Sequence, residues 1–265
     1  MTPFRMAAVV VTHARLDKLR VTLERLLSQP LDRVIVVDNA SGDGTADWLG
    51  TLDDPRLILH RSARNLGGAG GFHLGMQIAR DRTDADWIVV MDDDGRPAPG
   101  AIAAFRAMDL TGWDAIGAAV RHPDGRICEM NRPYRNPFWH PGAFLRTLAR
   151  MPLGRGRRGF HLRDADYADG APVTPVDMSS FVGLFLSRRA LEKAGLPDPR
   201  LFIYGDDQLY TLVMRRRGLR IGFAPGVRFD HDTAAQQGAS GLVLRPMWKD
   251  FYMYRNALMA YPVAA

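Results

Sequence analysis

Short apolar runs, each ending abruptly in polar residues, set the pattern of the chain. Met6-Ala7-Ala8-Val9-Val10-Val11-Thr12, Val34-Ile35-Val36-Val37 and Trp87-Ile88-Val89-Val90-Met91 are continuous rather than alternating. That pattern predicts strands buried on both faces. Leu57-Ile58-Leu59-His60 is a shorter third strand in the same series. Between the first two, Leu16, Leu19, Leu23, Leu26 and Leu27 recur at helical spacing, and Pro30 closes that helix. Ser41-Gly42-Asp43-Gly44-Thr45 reads as a turn and helix N-cap before Ala46-Asp47-Trp48-Leu49. Asn65-Leu66-Gly67-Gly68-Ala69-Gly70-Gly71 is predicted as a Gly-rich turn that opens a helix from about Phe72 to Arg80. Strand, helix, strand, turn, strand, Gly-rich turn, helix, strand is the order of a parallel sheet with right-handed crossovers.

The second half is less regular. Pro99 to Met108 predicts a helix, and Ala115-Ile116-Gly117-Ala118-Ala119-Val120 a further buried strand, with Arg126 to Glu129 returning as a hairpin arm after Pro123-Asp124-Gly125. From about Asn131 to Pro172 periodicity is lost among prolines, glycines and a cluster of arginines, Arg146, Arg150, Arg155, Arg157, Arg158 and Arg163. This stretch, 131–172, is expected to be a functional or mobile insertion or lid. Its arginines suit lipid headgroups or a pyrophosphate, or simply form a solvated basic surface. Val173 to Leu186 reads as strand, kink, strand; Ser187 caps a short helix that Gly195 ends. Leu209, Leu212, Val213 and Met214 mark another helix, with Arg215, Arg216 and Arg217 in its last turn and Gly218 as its stop. Arg220 to Pro225 and Val227 to Phe229 are strand-like. Leu244 to Tyr261 is expected to be an amphipathic helix, packed on the domain or at a membrane interface.

Polar residues at the strand tips carry the candidate chemistry: Thr12, Asp38, Asn65 and Asp92 would gather on one edge of the sheet, where ligands bind in open α/β folds. Asp92-Asp93-Asp94 directly follows an apolar strand, and three adjacent carboxylates cannot be buried unpaired. A hard divalent cation is the natural counter-charge, with Asp92 and Asp94 on one side and Asp93 turned to nucleotide or scaffold; the alternative is a solvated acidic turn helped by Gly95 and Pro97. Composition narrows the class. The 265 residues carry 46% hydrophobic and 24% charged side chains, ordinary for a globular protein, with a net charge of +6. Cys128 is the one cysteine, so no intramolecular disulfide forms. No apolar stretch approaches a membrane span, and Met1 to Arg5 is too short for a signal peptide. Neither a Rossmann fingerprint nor a P-loop is present: position 73 is histidine where the third glycine counted from Gly68 would fall.

Taken in order, Val10-Val11-Thr12 with Arg15, Val36-Val37-Asp38-Asn39-Ala40-Ser41-Gly42-Asp43-Gly44-Thr45, Asn65-Leu66-Gly67-Gly68, Met91-Asp92-Asp93-Asp94, and Gly205-Asp206-Asp207 followed by His231 resemble the family 2 inverting glycosyltransferases. The Gly-rich stretch with the triple aspartate looks most like the galactofuranosyltransferase and rhamnosyltransferase branch. The resemblance implies a GT-A fold: α/β, with a mostly parallel Rossmann-like central sheet flanked by helices, an acceptor-side insertion and a C-terminal helix. It implies one domain over 1–240, split into a nucleotide-sugar half (1–95) and an acceptor half (96–240), and a C-terminal extension over 241–265. Thr12, Arg15 and Asp38 then hold the uracil and ribose end of the donor, and Asn39 belongs to the donor-binding set. Asn65, Gly67 and Gly68 lie beside the diphosphate, and Asp93 adds to the donor set. Asp92, Asp94 and His231 match the metal ligands, for Mn²⁺ or Mg²⁺. Asp207 matches the catalytic base, and Asp206 the residue that holds acceptor hydroxyls.

The implied function is metal-dependent transfer of a sugar, from a UDP-sugar such as UDP-galactofuranose, to a hydroxyl of a glycan or polyprenyl-linked glycolipid in cell-envelope synthesis. Localisation is expected in the cytoplasm, with peripheral contact to an anionic membrane and no nucleic acid as partner. The rivals are a nucleotidyltransferase, for which His13-Ala14-Arg15 supplies one firm cation where a triphosphate loop needs more, and a non-catalytic glycan-binding relative, against which Asp92, Asp94, Asp207 and His231 argue. The sequence ends soon after Asn256, without the long C-terminal region of some relatives, so processive polymerisation is not part of the expectation.

Overall fold

In a computed structural model, which describes residues 4–233 and 246–265, the predicted strands and helices alternate around one sheet. The first half runs β1 (Met6–Thr12), α1 (Leu16–Leu27), β2 (Arg33–Asp38), α2 (Thr45–Leu49), β3 (Leu57–Arg61), α3 (Gly67–Arg82) and β4 (Trp87–Asp92). The second half runs β5 (Gly95–Pro97), α4 (Ala101–Arg106), β6 (Ala115–Arg121), α5 (Pro141–Arg150), β7 (Thr174–Val176), β8 (Leu184–Ser187), α6 (Arg188–Ala194), α7 (Asp206–Arg216), β9 (Ile221–His231) and α8 (Trp248–Ala264). The strand order is β3-β2-β1-β4-β8-β6-β9-β5, with β7 on β9. β3, β2, β1 and β4 are parallel. β8 enters antiparallel between β4 and β6, and β6 and β9 are again parallel.

The continuous apolar strands are buried on both faces because each face has its own helices. Val9, Val11, Ile35 and Val37 point into one layer with Phe72, Met76 and Met214. Ala8, Val10, Val34 and Val36 point into the other with Leu19, Leu23, Leu26 and Phe105. The register aligns Thr12 with Asp38 and Val11 with Asp92, so the polar tips share one edge.

Three expectations change. The glycines of 67–71 are not a turn before a helix: they are the first turns of α3, which starts at Gly67. Tertiary contact overrides their poor helix propensity. A Cβ on Gly71 would lie 2.4 Å from Val11 Cγ1, and one on Gly75 2.4 Å from Val9 Cγ1. Bare backbone is what lets α3 sit down on β1. Gly75→Ala, favourable in an isolated helix, is therefore expected to destabilise by about 1–3 kcal/mol through overpacking. Equilibrium urea unfolding measures this, and a gain in stability would refute it.

The basic stretch 131–172 is folded, not a structureless loop. It contains α5 and several 3₁₀ turns, and Tyr134 bridges it to both His161 and Met178. The two strand-like pieces near the C-terminus are a single strand, β9, whose register against β6 shifts between Ala118 and Ala119.

The C-terminal helix begins at Trp248 among the described residues; its predicted start at Leu244 and the boundary at 240 fall outside them. It packs on the domain. Asn136 Nδ2 donates to the Ala264 carbonyl (2.7 Å) and Arg216 Nε to the Val263 carbonyl (2.9 Å). Its amphipathicity is reversed, with Asn256, Ala260 and Ala264 inward and Phe251, Leu258 and Tyr261 exposed. Among the described residues no helix is long and apolar enough to cross a membrane.

Candidate active site

At the edge formed by the tips of β1, β2 and β4, the three aspartates part ways. Asp93 is buried and serves the scaffold: its Oδ2 accepts from Thr12 Oγ1 (2.8 Å) and its carbonyl from Thr22 Oγ1 (2.6 Å). Burial lifts its pKa to about 6, against the pull of Arg15 and Thr12. Asp94 faces His231, with Oδ1 3.3 Å from Nε2, and is ion-paired with Arg15. Burial opposes its ionisation, but His231 and Arg15 outweigh that and hold the carboxyl below its usual value. Asp92 has no such partner. Burial and the charge of Asp94 push it up to about 7. Arg15 also reaches Asp93 Oδ1 at 3.1 Å, so one guanidinium bridges two carboxylates from the half-open side.

His231 ends β9, opposite Gly95 of β5. Asp232, bound by Lys18 (2.5 Å) and Arg96 (2.9 Å), pins the next residue, and its N–H donates to the Asp94 carbonyl. His231 Nδ1 lies 2.7 Å from Asn131 Oδ1, whose own Nδ2 donates to Ser180 Oγ. Nδ1 is thus the donor and Nε2 is aimed at Asp94. Burial disfavours the imidazolium, but Asp94 and Cys128 more than compensate and raise its pKa to about 9. Asn131 escaped sequence reasoning: a lone asparagine at the start of an aperiodic stretch carries no local signal.

The donor side shows a second set of contacts. Asp38 is buried at the tip of β2. Its Oδ1 accepts from the Ser41 N–H (2.8 Å), while Oδ2 has no hydrogen-bond donor and only Arg61 Nε at 3.7 Å. Ser62 Oγ, also buried and without a partner, lies in the residue whose N–H donates to the Asp38 carbonyl. An acceptor and a hydroxyl left open side by side match the edge of a base. Ser62 and Arg61 are additions to the predicted set. Asn39 is consumed by the fold: Nδ2 donates to Asn65 Oδ1 (3.1 Å) and the Gly67 carbonyl (2.9 Å), and Oδ1 accepts from the Leu66 N–H (2.8 Å). Asn65 Oδ1 also accepts from the Gly67 N–H.

The close approach that Gly67 permits is to the protein itself. With φ +71, its Cβ position lies 2.1 Å from the Phe202 carbonyl oxygen, and that carbonyl accepts from the Ala69 N–H at the start of α3 (3.1 Å). The start of α3 is thus partly satisfied by the 202 turn rather than wholly open to phosphate. Gly68 has open space around its Cβ position and remains able to face a ligand.

That turn delivers Asp206 and Asp207 to the site. Gly205, with φ +75, is the N-cap of α7 without any side-chain cap, so neither aspartate is the cap residue. Both are half-buried. Burial and the charge of Asp207 raise the Asp206 pKa, with Asp92 adding to the repulsion. Asp207 is also raised by burial, but the N–H groups of Gln208 and Phe181 favour its ionised form. Gln208 Nε2 donates to the Tyr134 hydroxyl at 2.6 Å.

Carboxylate and imidazole groups fit a hard divalent cation in donor chemistry. Asp92 is a buried carboxyl whose ionised form burial and Asp94 disfavour, so a cation would favour its ionisation, and His231 has its second nitrogen oriented as metal-bound histidines do. Among the described residues no three His, Cys, Asp or Glu side chains lie close enough together to grip an ion as they stand. The positive partner of Asp94 is now Arg15.

Comparison with known proteins agrees with this geometry. The family model described as Glycosyl transferase family 2 matches residues 7–161. Galactofuranosyltransferase GlfT1 of Mycobacterium tuberculosis is 35% identical over 230 residues, covering 84% of this chain and 67% of that protein. Among solved structures, mannosyltransferase PcManGT from Pyrobaculum calidifontis, in complex with GDP-Man and Mn²⁺, superposes with a TM-score of 0.61 at 18% identity, over 89% of this chain and 59% of that one. GalNAc-T7 with UDP, GalNAc and Mn²⁺ gives 0.65 at 14% identity, over 98% of this chain and 50% of that one. At such identities the structural likeness establishes the fold, that of the GT-A glycosyltransferases.

Proposed function

The chain belongs to glycosyl transferase family 2, and from that premise we propose that it transfers a sugar, with inversion, from a UDP-sugar to a hydroxyl of a glycan or polyprenyl-linked glycolipid. A galactofuranosyl donor is the first choice, on the similarity to GlfT1. The observation that carries the reading is the edge of the sheet, where the register brings the polar tips Thr12, Asp38 and Asp92 together and Asp94 faces His231. Residues 1–95 supply the donor side and 96–240 the acceptor side. The enzyme works in the cytoplasm, at or near the inner face of the membrane.

Asp38 Oδ2 accepts from a base N–H, and Ser62 completes the base edge. Arg15 stands ready to turn from Asp94 to the donor's diphosphate, since its guanidinium is half exposed. Asp92, Asp94 and His231 would hold Mn²⁺ or Mg²⁺, which neutralises charge on the departing diphosphate when bound. Asp207 takes the proton of the acceptor hydroxyl as its oxygen attacks the anomeric carbon from the face opposite the diphosphate. Asp206, its pKa raised by burial, hydrogen-bonds a neighbouring acceptor hydroxyl.

Calorimetric titration of UDP with and without Mn²⁺ tests the donor side. Binding should depend on Mn²⁺ and be lost with EDTA. Asp94→Ala should weaken it about tenfold or more, the scale of one charge-assisted contact. Binding that is indifferent to EDTA and to Asp94→Ala would remove both the metal and Asp94 from the assignment.

A further inference from the structure

Away from the aspartates, a cavity of about 340 Å³ lies between α5, the 156–163 segment and the end of β7. Arg135, Arg146, Arg150, Arg158 and Arg163 line it, against one carboxylate, Asp166. Asp166 is engaged by Arg163, accepting from its N–H (2.6 Å) with Nε at 3.7 Å. The other guanidiniums are held by main-chain carbonyls: Arg135 Nε by Pro175 (3.1 Å), Arg146 Nε by Gly159 (3.3 Å) and Arg150 Nη1 by Arg158 (2.7 Å). Carbonyls fix direction without neutralising charge, so the cavity keeps a strong positive field. His161, on its wall, donates from Nδ1 to the Arg157 carbonyl, and its pKa is depressed to about 4 by burial and Arg157; it is neutral.

α5 explains what such a field could meet. Arg146 and Arg150, four residues apart, share the face of the helix that lines the cavity. The opposite face carries Phe144, Leu145 and Leu148, all exposed, Leu145 at 64%. Phe138 is exposed beside Phe144, their ring centroids 6.4 Å apart. An ordinary surface helix buries its apolar face and exposes its arginines; α5 exposes both, and of its residues only Ala143 is buried. α8 also exposes large apolar side chains, and Asn136 ties its C-terminal end to the segment that leads into α5. Arginines on one side of a helix and exposed apolar residues on the other suit a molecule with a phosphate head and an apolar body.

We propose that this cavity is a binding site for the phosphate or diphosphate head of an amphiphilic molecule, whose apolar part lies along the outward face of α5. The site deepens the acceptor side of the proposed function and rests on that reading for its role. Its position fits that role. In the cavity wall Phe160 packs edge-on against Tyr134, 5.3 Å between ring centroids, and the Tyr134 hydroxyl accepts from Gln208, next to Asp207 in the chain. Tyr134 and Gln208 thus link the cavity wall to the residue beside the base.

Titrating inorganic pyrophosphate into the full chain in EDTA tests the head-group site without a metal-loaded donor pocket. The double variant Arg146→Gln, Arg150→Gln should bind pyrophosphate about tenfold or more weakly, while Arg15→Gln binds it as the wild type does. The reverse pattern would overturn the site. Unchanged UDP–Mn²⁺ binding by the double variant shows that it is folded. Phosphatidylcholine vesicles doped with phosphatidic acid, or with phosphatidylserine at equal charge, test the amphiphile. Preferential co-sedimentation with phosphatidic acid, lost in the arginine variant and in Leu145→Ser, Leu148→Ser, supports it. Equal binding to both lipids, or to neither while pyrophosphate still binds, overturns the amphiphilic part and leaves a site for free phosphate. A protein that binds pyrophosphate here but never binds UDP with Mn²⁺ would sink the transfer reading alone.

Discussion

Asp207→Asn is expected to reduce sugar transfer by about 10³-fold, within the range of a lost general base, while UDP binding stays close to wild type. The amide keeps the volume and the hydrogen bond from the Gln208 N–H (2.6 Å) but cannot take a proton. The pH profile separates a base from a merely structural aspartate. Burial holds the Asp207 carboxyl above its usual range, so it becomes ionised later than a surface aspartate as pH rises. The base works only when ionised. Transfer should therefore fall on the acid side at a pH above the ordinary carboxyl value, and the remaining activity of Asp207→Asn should lack that limb. Asp206→Asn should keep an acid limb, because the proposed base, Asp207, is intact. Near-wild-type transfer by Asp207→Asn, or an acid limb that survives it, would show that another group is the base. The Asp206→Asn result guards against the assignment being off by one residue.

Much of this site could be read from the sequence because its chemistry sits where an apolar run stops. Val9-Val10-Val11, Val34 to Val37 and Trp87 to Met91 can only be doubly buried strands, and a carboxylate after such a strand has to emerge at its tip. What failed to show was anything decided by contact between distant segments. The glycines of 67–71 carry a turn signal, and only the nearness of Val11 and of the Phe202 carbonyl turns them into a helix start. α5 hid in a stretch rich in proline and arginine because its apolar face points outward. Asp93 stood between nucleotide and scaffold until Thr12 and Thr22 closed around it. Asn131, Ser62 and Asn256 have no local pattern; each matters through what distant segments bring beside it.

Asn256 bears on how the base is aimed. The turn before α7 is strained: Phe202 has φ +64 and Tyr204 φ +67, both in the left-handed region that non-glycine residues avoid at a cost of about 1 kcal/mol or more each. Something must hold it. From α8, buried Asn256 Nδ2 donates to the carbonyls of Leu201 (3.0 Å), Ile203 (2.8 Å) and Tyr204 (2.6 Å). Arg255 Nη2 takes the carbonyl of Arg200 (2.7 Å) and shares that of Leu201, and both Nε and Nη2 donate to Asn256 Oδ1. The Phe202 carbonyl is held from the other side by α3. The turn is thus clamped between two helices, and Asp206 and Asp207 follow it directly. Asn256→Ala takes the side-chain donor from the Ile203 and Tyr204 carbonyls, while that of Leu201 keeps Arg255, and is expected to cost about 2 kcal/mol in urea unfolding. Because a misplacement of about 1 Å can cost about 10²-fold, kcat should fall about that far while the KM for the donor, bound on the other half of the site, barely changes. Asn256→Asp should be worse than Asn256→Ala, since it sets a carboxylate against the same three oxygens. A stability loss with kcat intact would make α8 a structural brace only. A raised donor KM at constant kcat would mean that the turn serves α3 and the nucleotide rather than the base.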